Sequence, residues 1–149
     1  MKEFCDSLDY DNNYYFYHET SDNKAKSICE QGLLLSGYNI VKARNLLLTT
    51  ALPLPKEIAC DEVAFSDFLE DEISPSDIRP ITEMVIIAIP KEDIDYVVIK
   101  NDNNYYHSDV DSPNYMVQPQ YILGYFDLET KNFTPNPESY YSGEFSYKL

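Results

Sequence analysis

His18 and Thr20 stand two residues apart at the end of an aromatic run, in "YYFYHETSDNKAKSICEQGLLL", residues 14–35. An imidazole and a hydroxyl so placed have two uses. Either the ring is buried and held by a local partner, the commoner role for a histidine at a strand end, or it faces a ligand. Neutral imidazole can donate or accept, so one ring nitrogen, fixed by its neighbours, can be offered to a sugar hydroxyl. His107 is the only other histidine. Cys29 falls on the apolar face of a helix, where a thiol is inert as a nucleophile. Cys5, Cys29 and Cys60 show no C-x-x-C spacing, so zinc and redox motifs are not expected. "NDNN" and "DVDS" lack the glycine and the bidentate glutamate of a helix-loop-helix calcium loop and read as solvated. No phosphate-cradling glycine loop, dinucleotide fingerprint, zinc-protease motif or nucleophile elbow is present, and the chain has only 4 glycines.

The elements that position these groups follow from periodicity. Residues 14–18 favour a strand. Ser21 or Asp22 is expected to cap a helix whose face carries Ala25, Ile28 and Cys29, and Gly32 is expected to end it in the left-handed conformation. Residues 46–50, "LLLTT", read as a second short strand, broken by "ALPLPK". A helix is expected from Pro55 to about Leu69, burying Ile58, Phe65, Phe68 and Leu69. Met84 to Ile89 reads as a central strand closed by Pro90. Strands are expected near residues 96–99, 115–118 and 121–127, with a turn at "DLETK" before Phe133. The order predicts an α+β fold: two or three short helices and a mainly antiparallel sheet, in one domain spanning 1–149. Segments 1–12 and 138–149 are expected to be loose or peripheral.

Bulk properties bound the function. A chain of 149 residues, 44% hydrophobic and 14% aromatic, can pack one core without metal or disulfide help. Tyr supplies 14 of the aromatics and suits pocket walls, having an apolar ring and a polar tip. The net charge of −15 repels phosphate backbones, so direct nucleic-acid binding is not expected. A small nucleotide can still enter where backbone N–H groups outweigh the global field. "MKEFCDSLDYDNN" has neither the positive flank nor the apolar run of a signal peptide, and no 18-residue apolar stretch suggests a membrane span. The expectation is a cytoplasmic protein, or one delivered into a host cytosol.

"YHETSDNKAKSICEQGLLL" resembles the first motif of the ADP-ribosyltransferase superfamily, in which a strand ends in H-G-T or H-G-S before an N-x-x-x-I-x-x-x-G-L helix. Asn23, Ile28, Gly32 and Leu33 stand near those places. The resemblance implies that His18 binds a ribose hydroxyl of NAD and Thr20 lies beside the nicotinamide ribose. It also implies that the backbone of Glu19 clamps the nicotinamide amide, where many relatives carry Gly. "RNLLLTTALPLP" resembles the family's second strand; Thr49 and Thr50 echo the Ser-Thr-Ser strands of toxin-like members, while the aromatic clamp of other members is missing. "SPNYMVQPQYILGYFDLETKNF" resembles the closing strands. There the usual catalytic Glu falls on Asn114, with Gln118 and Gln120 as nearby polar alternatives, and Glu19 or Asp111 could reach the site from loops.

The implied fold is a split, mainly antiparallel sheet. The implied activity is NAD-dependent mono-ADP-ribosyl transfer, or NAD cleavage, by a small toxin-like effector, with NAD as substrate, His18, Glu19, Thr20, Thr49 and Thr50 binding it, and Asn114 and Gln118 at the reacting ribose. A protein or other acceptor is expected; no metal and no membrane are. The competing expectation is an inactive acidic binding protein, imitating a nucleic acid to block a basic partner.

Overall fold

The computed structural model describes residues 2–21, 23–35, 51–72, 80–93, 98–100 and 115–139. In chain order these form helix α1 (Lys2–Ser7), strand β1 (Asn13–Thr20), helix α2 (Lys24–Gln31), and strands β2 (Leu33–Leu35) and β3 (Leu52–Pro53). Helices α3 (Lys56–Ala59) and α4 (Glu62–Glu72) follow, then strands β4 (Glu83–Pro90), β5 (Val98–Lys100), β6 (Tyr115–Val117), β7 (Ile122–Asp127) and β8 (Phe133–Pro135). Short 3-10 turns occupy Lys91–Asp93 and Pro119–Tyr121.

The strands make two sheets, one ordered β3-β1-β4-β7-β8 and the other β2-β6-β5. Every recorded pairing is antiparallel. The α+β class and the mainly antiparallel sheet therefore hold. The chain leaves the first sheet at Thr20, passes through α2 and enters the second sheet at Leu33. Residues 33–35, expected only as a helix exit, are thus a strand.

β4 lies at the centre of the larger sheet, and its residues from Met84 to Ile89 are fully buried. That explains its unbroken apolar run: a strand covered on both faces has no polar side. Its odd residues Val85, Ile87 and Ile89 pack with Phe16 of β1, Ala25 and Cys29 of α2, Leu33 of β2, and Val117 of β6. Its even residues Met84, Ile86 and Ala88 pack with Phe4 of α1, Tyr15 of β1, Ala59 of α3, and Phe65 and Leu69 of α4. One face of the sheet thus carries α2 and the second sheet, and the other carries α1, α3 and α4.

Four short helices appear among the described residues, against two or three expected, and four local readings need correction. The expected 55–69 helix is two helices. The Asp61 carboxylate accepts from the N–H groups of Val63 (3.0 Å) and Ala64 (3.2 Å), so a new helix starts after Cys60. The N-terminal segment is not loose over Lys2–Ser7, because Phe4 and Cys5 are buried. The cap of α2 comes from elsewhere. Ser21 contributes only its carbonyl, which accepts from Lys24 N–H at 3.1 Å, and Asp22 lies outside the described residues. The Ala25 N–H instead donates to the Glu83 carboxylate at 3.2 Å. Glu83 is buried, and a carboxylate there satisfies an orphan donor and meets the positive end of the helix dipole. Gly32 does end α2, its N–H donating to the Ile28 carbonyl at 2.7 Å, but with φ 95° and ψ 168° rather than the left-handed helical pair. Only glycine adopts that conformation cheaply.

Candidate functional site

β1 pairs with β4 along its whole length, His18 opposite Val85 and Thr20 opposite Glu83. β4 in turn sets Val85 opposite Tyr125 and Glu83 opposite Asp127 of β7. Directly opposed residues of an antiparallel pair share a face. His18, Val85 and Tyr125 therefore form one row, and Thr20, Glu83 and Asp127 the next. Val85 belongs to the cluster under α2 and the second sheet, so His18 and Thr20 face that side. Both are half-buried, neither sealed in the core nor fully open. The α2 terminus, held by Glu83, stands over the Thr20 end of the row.

Glu19 divides into two parts. Successive side chains of a strand alternate faces, so its carboxylate is on the opposite side of the sheet from His18 and Thr20. There it meets Glu72, the last residue of α4. Burial, then the hydrogen bond and charge of Glu72, push the Glu19 carboxyl up from the ordinary 4.5 to about 7. As a side chain, Glu19 is not part of the His18–Thr20 grouping. Its backbone is placed differently. The Tyr15 carbonyl accepts from Leu54 N–H at 2.9 Å and the Thr20 carbonyl from Thr82 N–H at 3.1 Å. Odd residues of β1 thus aim their backbone groups toward β3 and even ones toward β4. β3 runs only as far as Leu52, opposite Tyr17, so the Glu19 N–H and C=O lie beyond its end.

The raised Glu19 carboxyl has a consequence for stability with a definite sign. Its proton is held more tightly in the folded chain than in the unfolded one. Its favourable contribution is complete below pH 4.5 and is lost as pH rises toward 7. Glu19→Gln keeps the shape and removes the titration. At pH 8 the variant is expected to melt about 2–4 °C above the parent, the equivalent of about 1 kcal/mol after solvent screening, and to match it at about pH 4. Paired melting curves across that range check it; equal midpoints at both pH values would contradict it.

Gln118 follows β6 and precedes the Pro119–Tyr121 turn. Gln120 donates its side-chain N–H to the Gln118 amide oxygen. Val117 and Tyr121, on either side of Gln118, lie in the same buried cluster as Phe16 and Val85, which flank His18. His18 and Gln118 therefore sit at the margins of one core. Thr49, Thr50 and Asn114 lie outside the described residues, as do Asp111 and His107.

Cys29 is buried on this face and Cys5 on the opposite one. Burial pushes the Cys29 thiol up to about 12 and the Cys5 thiol up to about 11. Among the described residues no three His, Cys, Asp or Glu side chains group to hold a metal ion, and no helix is long and apolar enough to cross a membrane.

A cleft of about 470 Å³ opens at the other end of β1, lined by Tyr10, Tyr14, Tyr15, Leu54, Lys56 and Lys91 among others. No motif in the sequence marked it, because its walls come from three separated segments. The one available hint was the abundance of tyrosine.

Comparison with known proteins returns no matching family, no matching curated protein and no matching solved structure.

Proposed function

We propose that the chain is an NAD-dependent mono-ADP-ribosyltransferase-like protein with the split-sheet fold of that superfamily, working in the cytoplasm or in a host cytosol. NAD is the substrate, bound on the α2 face of β1. A ring nitrogen of His18 holds a ribose hydroxyl, Thr20 lies beside the nicotinamide ribose, and the Glu19 backbone clamps the nicotinamide amide beyond the end of β3. The resemblance adds Thr49 and Thr50 to the NAD-binding residues and assigns Asn114 and Gln118 to the reacting ribose. The bond from ribose C1′ to the nicotinamide nitrogen breaks with its electron pair leaving on nicotinamide. Positive charge grows on the ribose, and an acceptor side chain of a protein attacks C1′ and loses its proton. Neutral amides orient that ribose without cancelling its charge, so positioning supplies most of the rate.

One observation carries most weight: the register sets His18 and Thr20 together, half-buried, on the face turned toward the second sheet. The division into two sheets between Thr20 and Leu33 fits the same reading. The test is nicotinamide release from millimolar NAD, with and without a protein acceptor. His18→Ala is expected to lower the rate about 100-fold, the usual penalty for a misplaced substrate. No release by the parent protein would overturn the activity.

A second reading, an acidic binding protein for a basic partner, is favoured by α4 and its cap. Asp61, Glu62, Asp67, Glu70 and Asp71 are all exposed, in a chain of net charge −15. Binding of that kind is released by moderate salt and is indifferent to NAD.

A further inference from the structure

The cleft at the start of β1 has apolar walls and a basic rim. Two of its tyrosine rings, Tyr10 and Tyr15, are fixed by bonds at their hydroxyls. Tyr10 donates to the Leu54 carbonyl at 2.7 Å, and the Tyr15 oxygen accepts from Asp9 N–H at 2.9 Å. The two rings pack at 4.7 Å. With the hydroxyls engaged, the rings offer the cleft mainly their apolar surface. Its volume, about 470 Å³, falls in the range of small-molecule sites, roughly 300–1,000 Å³.

The charge at the rim is opposite to that of the chain. Two of only 11 basic residues, Lys56 and Lys91, converge here in a protein of net charge −15. They arrive from different elements, Lys56 as the first residue of α3 and Lys91 just after β4. The Lys91 ammonium stands 5.2 Å from the centre of the Tyr14 ring, and its backbone N–H is tied to the Asn12 carbonyl at 2.9 Å. Among the described residues neither lysine is in an ion pair. Asp11 also lines the cleft. The nearby Asp9 carboxylate is occupied by the Asn12 side chain at 2.7 Å and the Asp11 N–H at 3.1 Å.

We infer that this cleft is a binding site, separate from the His18 face, for a flat aromatic ring carrying a phosphate, the chemistry of a nucleoside monophosphate. The ring lies against the tyrosine walls and the phosphate between the two ammonium groups. Neither half suffices: phosphate alone leaves the apolar walls unused, and an uncharged ring leaves both cations unpaired.

Adenosine monophosphate, titrated into the intact protein and followed by backbone amide shifts, tests this. Binding is expected to perturb residues 10–16 and Lys91. Adenosine and inorganic phosphate should each bind at least about tenfold more weakly, a difference of about 1.4 kcal/mol. The Lys56→Ala/Lys91→Ala double variant should weaken the monophosphate at least tenfold while melting within about 2 °C of the parent, since both sites are exposed. His18→Ala should bind it unchanged. Adenosine binding as tightly as its monophosphate, an unaffected double variant, no binding, or loss of binding in His18→Ala would each overturn the inference.

Discussion

Gly124→Ala is expected to destabilise the protein by about 3 kcal/mol or more, through backbone strain and overpacking together. Gly124 has φ 150°, and a Cβ there would come 2.2 Å from the Thr134 carbonyl oxygen, 2.7 Å from Cζ of Phe133 and 3.0 Å from Cα of Pro135. The first and last of these are backbone, so no side-chain rotation relieves them. Gly124 pairs with Pro135 on β8 and with Ile86 on β4, beside the register shift between Ile86 and Ile87. β4 is held on both sides; among the described strands β8 is the sheet edge and must yield. Its displacement would pull Phe133 away from Phe4 and Phe126, whose ring centres lie 4.8 Å from it. Urea unfolding measures the loss. A midpoint equal to the parent's would mean that β8 does not approach β7 as described.

Phe4→Ala is the second large effect, with an expected cost of about 3–5 kcal/mol and a fall in melting temperature of about 10 °C. Phe4 is 1% exposed, and its ring meets Phe65 at 5.6 Å, Phe126 at 4.9 Å and Phe133 at 4.8 Å. α1 is thus pinned by one side chain at the centre of a cluster that joins α4, β7 and β8. Asp6→Ala, on the exposed side of the same helix, is the control and should change stability by about 0.5 kcal/mol or less. If Phe4→Ala were as harmless as the control, α1 would not be docked.

What was legible in the sequence is what short-range physics encodes. The run from Met84 to Ile89 announced a strand buried on both faces. Pro119 marked the bend between β6 and β7, and Gly32 marked the end of α2. The helix face of Phe65 and Leu69 was also plain, since both are fully buried and spaced one turn apart. What escaped depends on partners distant in the chain. α1 presents only Phe4 and Cys5 to the core, too few for a periodic signal, and its stability lies in the rings that receive Phe4. Glu83 caps a helix 58 residues earlier, which no local capping rule could find. Asp61 could have been read, because an Asp two residues before Val63 is an ordinary helix start. For the candidate site, strand alternation already separates the Glu19 side chain from His18 and Thr20. Its pairing with Glu72 needed the packing of α4, and the cleft between Tyr14 and Lys91 needed three segments to converge.

The central claim is that the half-buried ring of His18 serves NAD rather than the core. The most direct measurement is the melting temperature of the parent and of His18→Ala, each with and without millimolar NAD. A ligand that binds only the folded state at ten times its dissociation constant adds about 1.4 kcal/mol, a rise of about 3–5 °C here. The parent should show that rise, and His18→Ala should show none relative to its own unliganded midpoint. A parent indifferent to NAD, or a variant that melts several degrees lower and responds to NAD equally, would contradict it.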